Sequence, residues 1–324
     1  MMKKALSAVA LAAMTFSAGA AMAAEKWDMA TPYPDATFHT QNIVEFAKDI
    51  ETATNGELAL TVHSGGSLFK HAEIKRSVQR GLVPIGEVLI SLLANEDPIY
   101  TVDAIPFLAT SYDDAKKLWD ASRQAIEAKL EKDGLKVLYA VPWPSQGLYT
   151  AKEVNSVADL KGLKFRAYNT TTSQLAQLTG MVATQVEVPE IPTAFATGIV
   201  EAMMTSPSTG ANSKAWDFVD NFYDVQAWLP KNMVIVNAKS FDHLSADVQK
   251  AVMDAAAKAE DRGWKMSMAE ADAKKAELKE NGMNVAAPSA ELKDGLAKVG
   301  DKMVADWLKE TGAEGQAIID AYKK

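Results

Sequence analysis

The chain has 324 residues, 48% of them hydrophobic, a formal net charge of −8 and no cysteine. An acidic balance argues against nucleic acid as a partner, because phosphate binding rests on clustered Lys and Arg. The missing thiols exclude disulfides, cysteine nucleophiles and cysteine-held metal, and the length allows two domains with a core each.

Lys3 and Lys4 precede an apolar run over residues 5–20 that ends in Ala21-Met22-Ala23, an A-x-A cleavage pattern. A basic start, a short apolar segment and small terminal residues describe a secretory signal peptide over 1–23, cleaved near Ala23. A membrane anchor would need about 20 strongly apolar residues, whereas this run is diluted with Ala, Ser, Thr and Gly. The expected product is an exported soluble protein.

Residues 27–30 lead through the turn Thr31-Pro32-Tyr33-Pro34-Asp35 into an amphipathic helix over 37–54, closed by Asn55-Gly56. Residues 57–63 alternate as a strand, Ser64-Gly65-Gly66-Ser67 is a loop, 72–80 is a helix stopped by Gly81, and 82–87 is a strand. This β-α-β-α-β order predicts a parallel or mixed sheet with helices on both faces. The alternation resumes at 136–141. There Trp143, between Pro142 and Pro144, leads to Gln146-Gly147 as a crossing between domains. Strand 163–166 follows, and Trp228, Lys231 and Asn232 precede the apolar strand 233–236 at a return crossing.

From Ser245, a good N-cap, the chain runs to Asn281-Gly282 without proline and is rich in strong helix formers. One helix of that length would reach roughly 50 Å and could brace two domains; the alternative is two helices broken near Gly263.

Lys161-Gly162-Leu163-Lys164-Phe165-Arg166 reads as a turn and a short strand with arginine at its C-terminal end. In an α/β sheet that end faces the crevice where ligands bind. A guanidinium there offers a planar fork that matches a carboxylate at two points; an ordinary domain salt bridge is the competing role. The other arginines (Arg76, Arg80, Arg123, Arg262) sit in patterns of solvated helix faces.

Residues 157–166 with Asn169, the run 188–201 (Val-Pro-Glu-Ile-Pro-Thr-Ala-Phe-Ala-Thr-Gly-Ile-Val-Glu), Asp103-Ala104-Ile105-Pro106-Phe107-Leu108 and the helix from Ser245 together resemble a known family. The chain resembles DctP-type substrate-binding proteins of tripartite ATP-independent periplasmic (TRAP) transporters over essentially all of its mature length. The resemblance implies two α/β domains enclosing a ligand, with a long helix crossing both, and Arg166 holding the ligand carboxylate beside Asn169. It implies delivery to the small and large membrane subunits of a permease. Where the sialic-acid-binding branch carries a second cleft arginine this chain has Gln146. Where that branch has an asparagine it reads Met203-Met204-Thr205-Ser206. Both departures suggest a smaller, less polar ligand, a monocarboxylate such as a 2-oxo or 2-hydroxy acid.

The division expected is 24–143 plus 232–271 for the first domain and 144–231 plus 272–324 for the second, in a monomer. Tyr33, Phe38 and His39 lie at the first strand-to-helix junction, as cleft residues or as packing. Trp143 closes over the ligand or fills the hinge. Glu87 selects a hydroxyl or ammonium if it faces the cleft, and otherwise caps a helix or pairs with a cation. Thr205 and Asn232 complete the candidate ligand set. No cofactor or metal is expected, since His63, His71 and His243 lack metal-ligand spacing. A periplasmic enzyme acting on organic acids is the other function class. It needs a nucleophile and a base, for which only the hydroxyl-rich run 205–210 offers a start. A ligand sensor for a receptor would use the same binding physics as a carrier.

Overall fold

A computed structural model describes residues 24–324, and the signal-peptide reading of 1–23 lies outside them. The first half of the chain supplies β1 (Glu25–Ala30), α1 (Phe38–Ala53), β2 (Leu58–His63), α2 (His71–Gln79), β3 (Ile85–Leu89), α3 (Tyr112–Lys132) and β4 (Leu135–Pro142). Then follow β5 (Gly147–Thr150), β6 (Lys164–Ala167), α4 (Thr170–Thr179), β7 (Val182–Gln185), α5 (Ile191–Ala196), β8 (Ala202–Thr205), α6 (Pro207–Asn212) and β9 (Asn221–Tyr223). The chain closes with β10 (Lys231–Asn237), α7 (Ala238–His243), α8 (Ala246–Glu280), β11 (Asn284–Ala286) and α9 (Ala290–Tyr322).

Two mixed sheets carry the two α/β domains, in the orders β2-β1-β3-β10-β4 and β11-β9-β5-β8-β6-β7. In the first, β1 runs parallel to β2 and β3, while β10 enters antiparallel between β3 and β4. Every residue of β3 and β10 is buried, as central strands covered on both faces require. In the second, β6 lies parallel between β7 and β8, so Arg166 is held from both sides, opposite Thr184 and Met203. The strand expected over 82–87 begins later, at Ile85: Pro84 has no N–H to give to a ladder, and Leu82 is exposed. The chain passes from one sheet to the other between Pro142 and Gly147 and returns between Tyr223 and Lys231.

The long helix is unbroken. Ser245 Oγ accepts from the Val248 N–H at 3.3 Å and starts α8, which packs on α1 and β4 of one domain and on α6 and β11 of the other. Its buried positions include a run of small residues (Ala255, Ala256, Ala259, Gly263), which lets the backbone approach closely there. A Cβ at Gly263 would come within 2.4 Å of Val141 Cγ2 and 2.7 Å of Asn42 Nδ2. That glycine is therefore a contact point with β4 and α1, and its presence does not break the helix. The terminal α9 braces the domains a second time, packing on α3 and on α4.

The segment Asp103–Leu108 anchors the return crossing. Asp103 Oδ2 accepts the Lys231 N–H at 2.8 Å where β10 begins, and the Phe107 N–H donates to the Ala227 carbonyl at 2.7 Å.

Candidate functional site

A cavity of about 50 Å³, measured as the space open to the centres of water-sized molecules, lies between the two sheets. Tyr33, His71, Leu89 and Leu92 form its wall on the first domain, and Trp143 and Gln146 reach it from the crossing. Arg166, Tyr168, Val186 and Thr205 close it from the second. Both walls sit at loop and strand-end positions, where an α/β sheet offers backbone ends and side chains to a ligand.

Arg166 is 2% exposed. Phe165 turns into the core of its domain, so strand alternation sends Arg166 to the other face, and Tyr168 follows it two residues on. Its Nε donates to the Val186 carbonyl at 2.9 Å, and its guanidinium carbon lies 4.9 Å from the centre of the Tyr168 ring. Among the described residues no carboxylate forms an ion pair with it. Burial without a counter-charge lowers its pKa to about 10, against smaller opposing effects of Tyr168 and Tyr33. A buried cation held this way costs several kcal/mol unless an anion joins it. An anion seated against the guanidinium would offset that cost.

Behind the first-domain wall lies a buried polar chain. Thr31 Oγ1 donates to Glu87 Oε2 at 2.5 Å, and Asn232 Nδ2 donates to Glu87 Oε1 at 2.8 Å. Asn232 Oδ1 in turn accepts from Trp143 Nε1 at 3.0 Å and from the Tyr33 hydroxyl at 3.2 Å. An indole N–H only donates, so the Asn232 atom facing Trp143 must be the oxygen, which fixes the amide's orientation. Burial pushes the Glu87 carboxyl up to about 7, against the hydrogen bonds from Thr31 and Asn232.

The ten residues singled out from sequence fall into two groups. Tyr33, Trp143, Gln146, Arg166 and Thr205 line the cavity. The other five lie behind it. Phe38 meets Trp143 edge-on at 5.5 Å, and the His39 ring lies 4.4 Å from Trp143 and 4.1 Å from Phe38, so both buttress that indole. His39 Nδ1 is 3.5 Å from Glu87 Oε1, and burial keeps its pKa well below the usual histidine value. Glu87 neither caps a helix nor faces the cavity; with Asn232 it orients Tyr33 and Trp143. Asn169 caps α4, accepting the Thr172 N–H at 2.8 Å, and its Nδ2 donates to Ser91 Oγ of the other domain at 2.7 Å. Gln146 spends its amide locally: Nε2 donates to the Pro144 carbonyl at 2.9 Å and Oε1 accepts from Tyr168 at 3.3 Å.

His71, Leu89, Leu92, Tyr168 and Val186 are lining residues that the sequence reading did not select. Two had a signal. Tyr168 shares the face of Arg166 by alternation, and His71 opens the helix after β2, a junction equivalent to the one that suggested Tyr33.

The hydroxyls of Ser206, Ser208 and Thr209 in the run 205–210 are occupied. Ser206 Oγ caps α6, accepting the Thr209 N–H at 3.0 Å, and Ser208 Oγ donates to Glu270 Oε2 on α8 at 2.7 Å. Among the described residues no group of three or more His, Cys, Asp or Glu could hold a metal ion, and no helix is long and apolar enough to cross a membrane.

Residues 29–310 match the DctP model of bacterial extracellular solute-binding proteins, family 7. DctP6 of Bordetella pertussis, an extracytoplasmic solute receptor that binds pyroglutamic acid, is 46% identical over 92% of this chain and 99% of its own, with a TM-score of 0.91. A TRAP solute binding protein of an unidentified marine microbe, specific for pyroglutamate, is 45% identical over 93% of this chain and 99% of its own, also at 0.91. The ectoine/5-hydroxyectoine-binding periplasmic protein UehA of Ruegeria pomeroyi is 23% identical over 98% of this chain and 95% of its own. Members of this family are solute-binding receptors rather than enzymes. The chain belongs to the DctP family of TRAP extracytoplasmic solute receptors.

Proposed function

We propose that this protein captures a small monocarboxylate in the cavity through a bidentate contact with Arg166, and that pyroglutamate is the first ligand to test. The observation that carries this reading is the buried Arg166 with no carboxylate partner among the described residues. The size supports it. About 10–15 Å³ of this measure holds one water, so 50 Å³ suits a ligand of few heavy atoms. The wall is largely apolar, with Leu89, Leu92, Trp143 and Val186 lining the same cavity as Arg166, which suits a compact ring or a short 2-oxo or 2-hydroxy acid. Two relatives about as similar as any cited above are described as binding pyroglutamate.

In this reading the domains, 24–143 plus 232–271 and 144–231 plus 272–324, hinge about the crossings at Trp143 and Asn232. The ligand favours the closed form by its extra contacts there. The closed monomer in the periplasm then presents the acid to the small and large subunits of a TRAP permease.

Thermal-shift screening of pyroglutamate beside 2-oxo and 2-hydroxy acids tests the assignment. A ligand at a hundred times its Kd stabilises the fold by about 2.7 kcal/mol. Pyroglutamate should raise the Tm and be recovered unchanged after incubation. No shift with any acid, or turnover of the acid, would overturn the reading.

A further inference from the structure

The first-domain wall carries a hydrogen-bond polarity that its neighbours fix. His71 Nε2 accepts the Leu89 N–H at 3.1 Å. In a neutral imidazole one nitrogen accepts and the other bears the proton, so the His71 proton sits on Nδ1. Burial, with Arg166 adding to it, drives the His71 pKa down to about 3, which keeps the ring neutral. Tyr33 is fixed the other way. Its hydroxyl hydrogen goes to Asn232 Oδ1, which cannot turn its amide because Trp143 N–H and Glu87 hold both ends. The hydroxyl oxygen is left with lone pairs to offer. The two rings adjoin, with centroids 5.4 Å apart at 76°, and both line the cavity with Arg166.

We propose that His71 and Tyr33 read the ligand's second polar group as a donor–acceptor pair, His71 Nδ1–H donating to a carbonyl and Tyr33 Oη accepting from an adjacent N–H. A ring lactam presents that edge, because closure forces its amide cis and places N–H and C=O side by side. In a lactam acid the carboxylate for Arg166 is borne on the carbon next to the N–H. A 2-oxo acid brings acceptors only and leaves the Tyr33 oxygen facing another lone pair. This inference rests on the Arg166–carboxylate reading and names the ligand class within it: cyclic amides of amino acids, selected over 2-oxo acids.

Three acids that share a five-membered ring separate the contacts by calorimetry. Pyroglutamate carries N–H and C=O; 5-oxotetrahydrofuran-2-carboxylate replaces the N–H by oxygen; tetrahydrofuran-2-carboxylate also lacks the carbonyl. Each loss leaves a buried group unpaired, which should weaken binding about tenfold or more. Tyr33→Phe should bring the lactam-to-lactone ratio close to one and keep the lactone-to-ether ratio. His71→Leu should do the reverse. A ratio near one in the native protein, or either variant weakening all three acids by the same factor, would overturn the proposal, because the residue would then act only through the fold. If the His71 variant fails to fold, for want of an acceptor for the Leu89 N–H, the tyrosine arm still decides. Pyroglutamate methyl ester should bind at least a hundredfold more weakly than the acid. Equal binding of ester and acid would sink the Arg166 contact itself and the inference built on it.

Discussion

Two of the cations buried among the described residues, Lys231 and Arg166, are provided for differently. Lys231, 0% exposed, stands at the return crossing with its Nζ 3.9 Å from Asp103 Oδ2. Arg166, 2% exposed, stands at the cavity against the Val186 carbonyl and the Tyr168 ring, and among the described residues no carboxylate pairs with it. Burial lowers the pKa of both, but Asp103 is the main opposing influence at Lys231, while at Arg166 only tyrosines oppose. A charge with a partner inside the fold can serve the fold. A charge without one makes the unliganded protein costlier and binds an anion the more strongly, which is what a carboxylate receptor requires.

If that contrast is right, the two sites should respond oppositely to truncation. Asp103→Ala leaves Lys231 buried and unpaired and removes an acceptor of the Lys231 N–H. It should cost about 3–5 kcal/mol of stability in urea unfolding. What folds should keep its order of preference among acids. A loss under 1 kcal/mol would show that Lys231 needs no partner.

Glu87 gives a pH test of the polar chain between the regions. Its folded pKa, about 7, lies above the ordinary 4.5, so the folded state holds a proton that the unfolded state has released. Its contribution is complete below pH 4.5 and is lost as pH rises toward 7, at a slope on the order of 1 kcal/mol per pH unit. His39 and His71, held neutral by burial, act in the opposite sense below pH 6.5, and Asp103, raised to about 6, acts in the same sense as Glu87. The informative quantity is therefore the difference between the native protein and Glu87→Gln. Relative to native, the glutamine variant should gain stability between pH 5 and pH 7 and hold that gain above. A difference that does not change with pH would mean Glu87 is ionised throughout.

The smallest effect is expected at Asn169. Asn169→Ser keeps a capping oxygen for α4 and gives up the bond to Ser91 across the domains. Its Tm should change little, while ligand affinity should fall a few-fold if the proposed closure uses this contact between the domains. Unchanged affinity would remove that contact from closure.

The same contrast marks what the sequence made legible. Arg166 could be read because arginine is scarce here and it ends a strand, and alternation carried Phe165 inward and Arg166 outward. The long helix could be read from its composition and cap, but Gly263 looked like a break because the pressing neighbours, Val141 and Asn42, come from distant elements. Phe38, His39, Glu87 and Asn232 stand near the cleft in sequence terms. Which of them reach it depends on Trp143, which fills the space in front of Phe38 and His39 and takes its orientation from Asn232. His71 escaped because its role depends on a backbone N–H eighteen residues away. Local pattern located the crevice edge, and packing between domains chose its occupants.

The central claim is that Arg166 is a charge the fold leaves uncompensated for the sake of a carboxylate. Arg166→Met, measured twice, tests it most directly: ligand-free unfolding in urea, and titration with pyroglutamate in a calorimeter. The account predicts ligand-free stability equal to or above that of the native protein, with affinity lost by at least a hundredfold, about 3 kcal/mol. A variant that unfolds as readily as Asp103→Ala, or that binds pyroglutamate as tightly as the native protein, would contradict it.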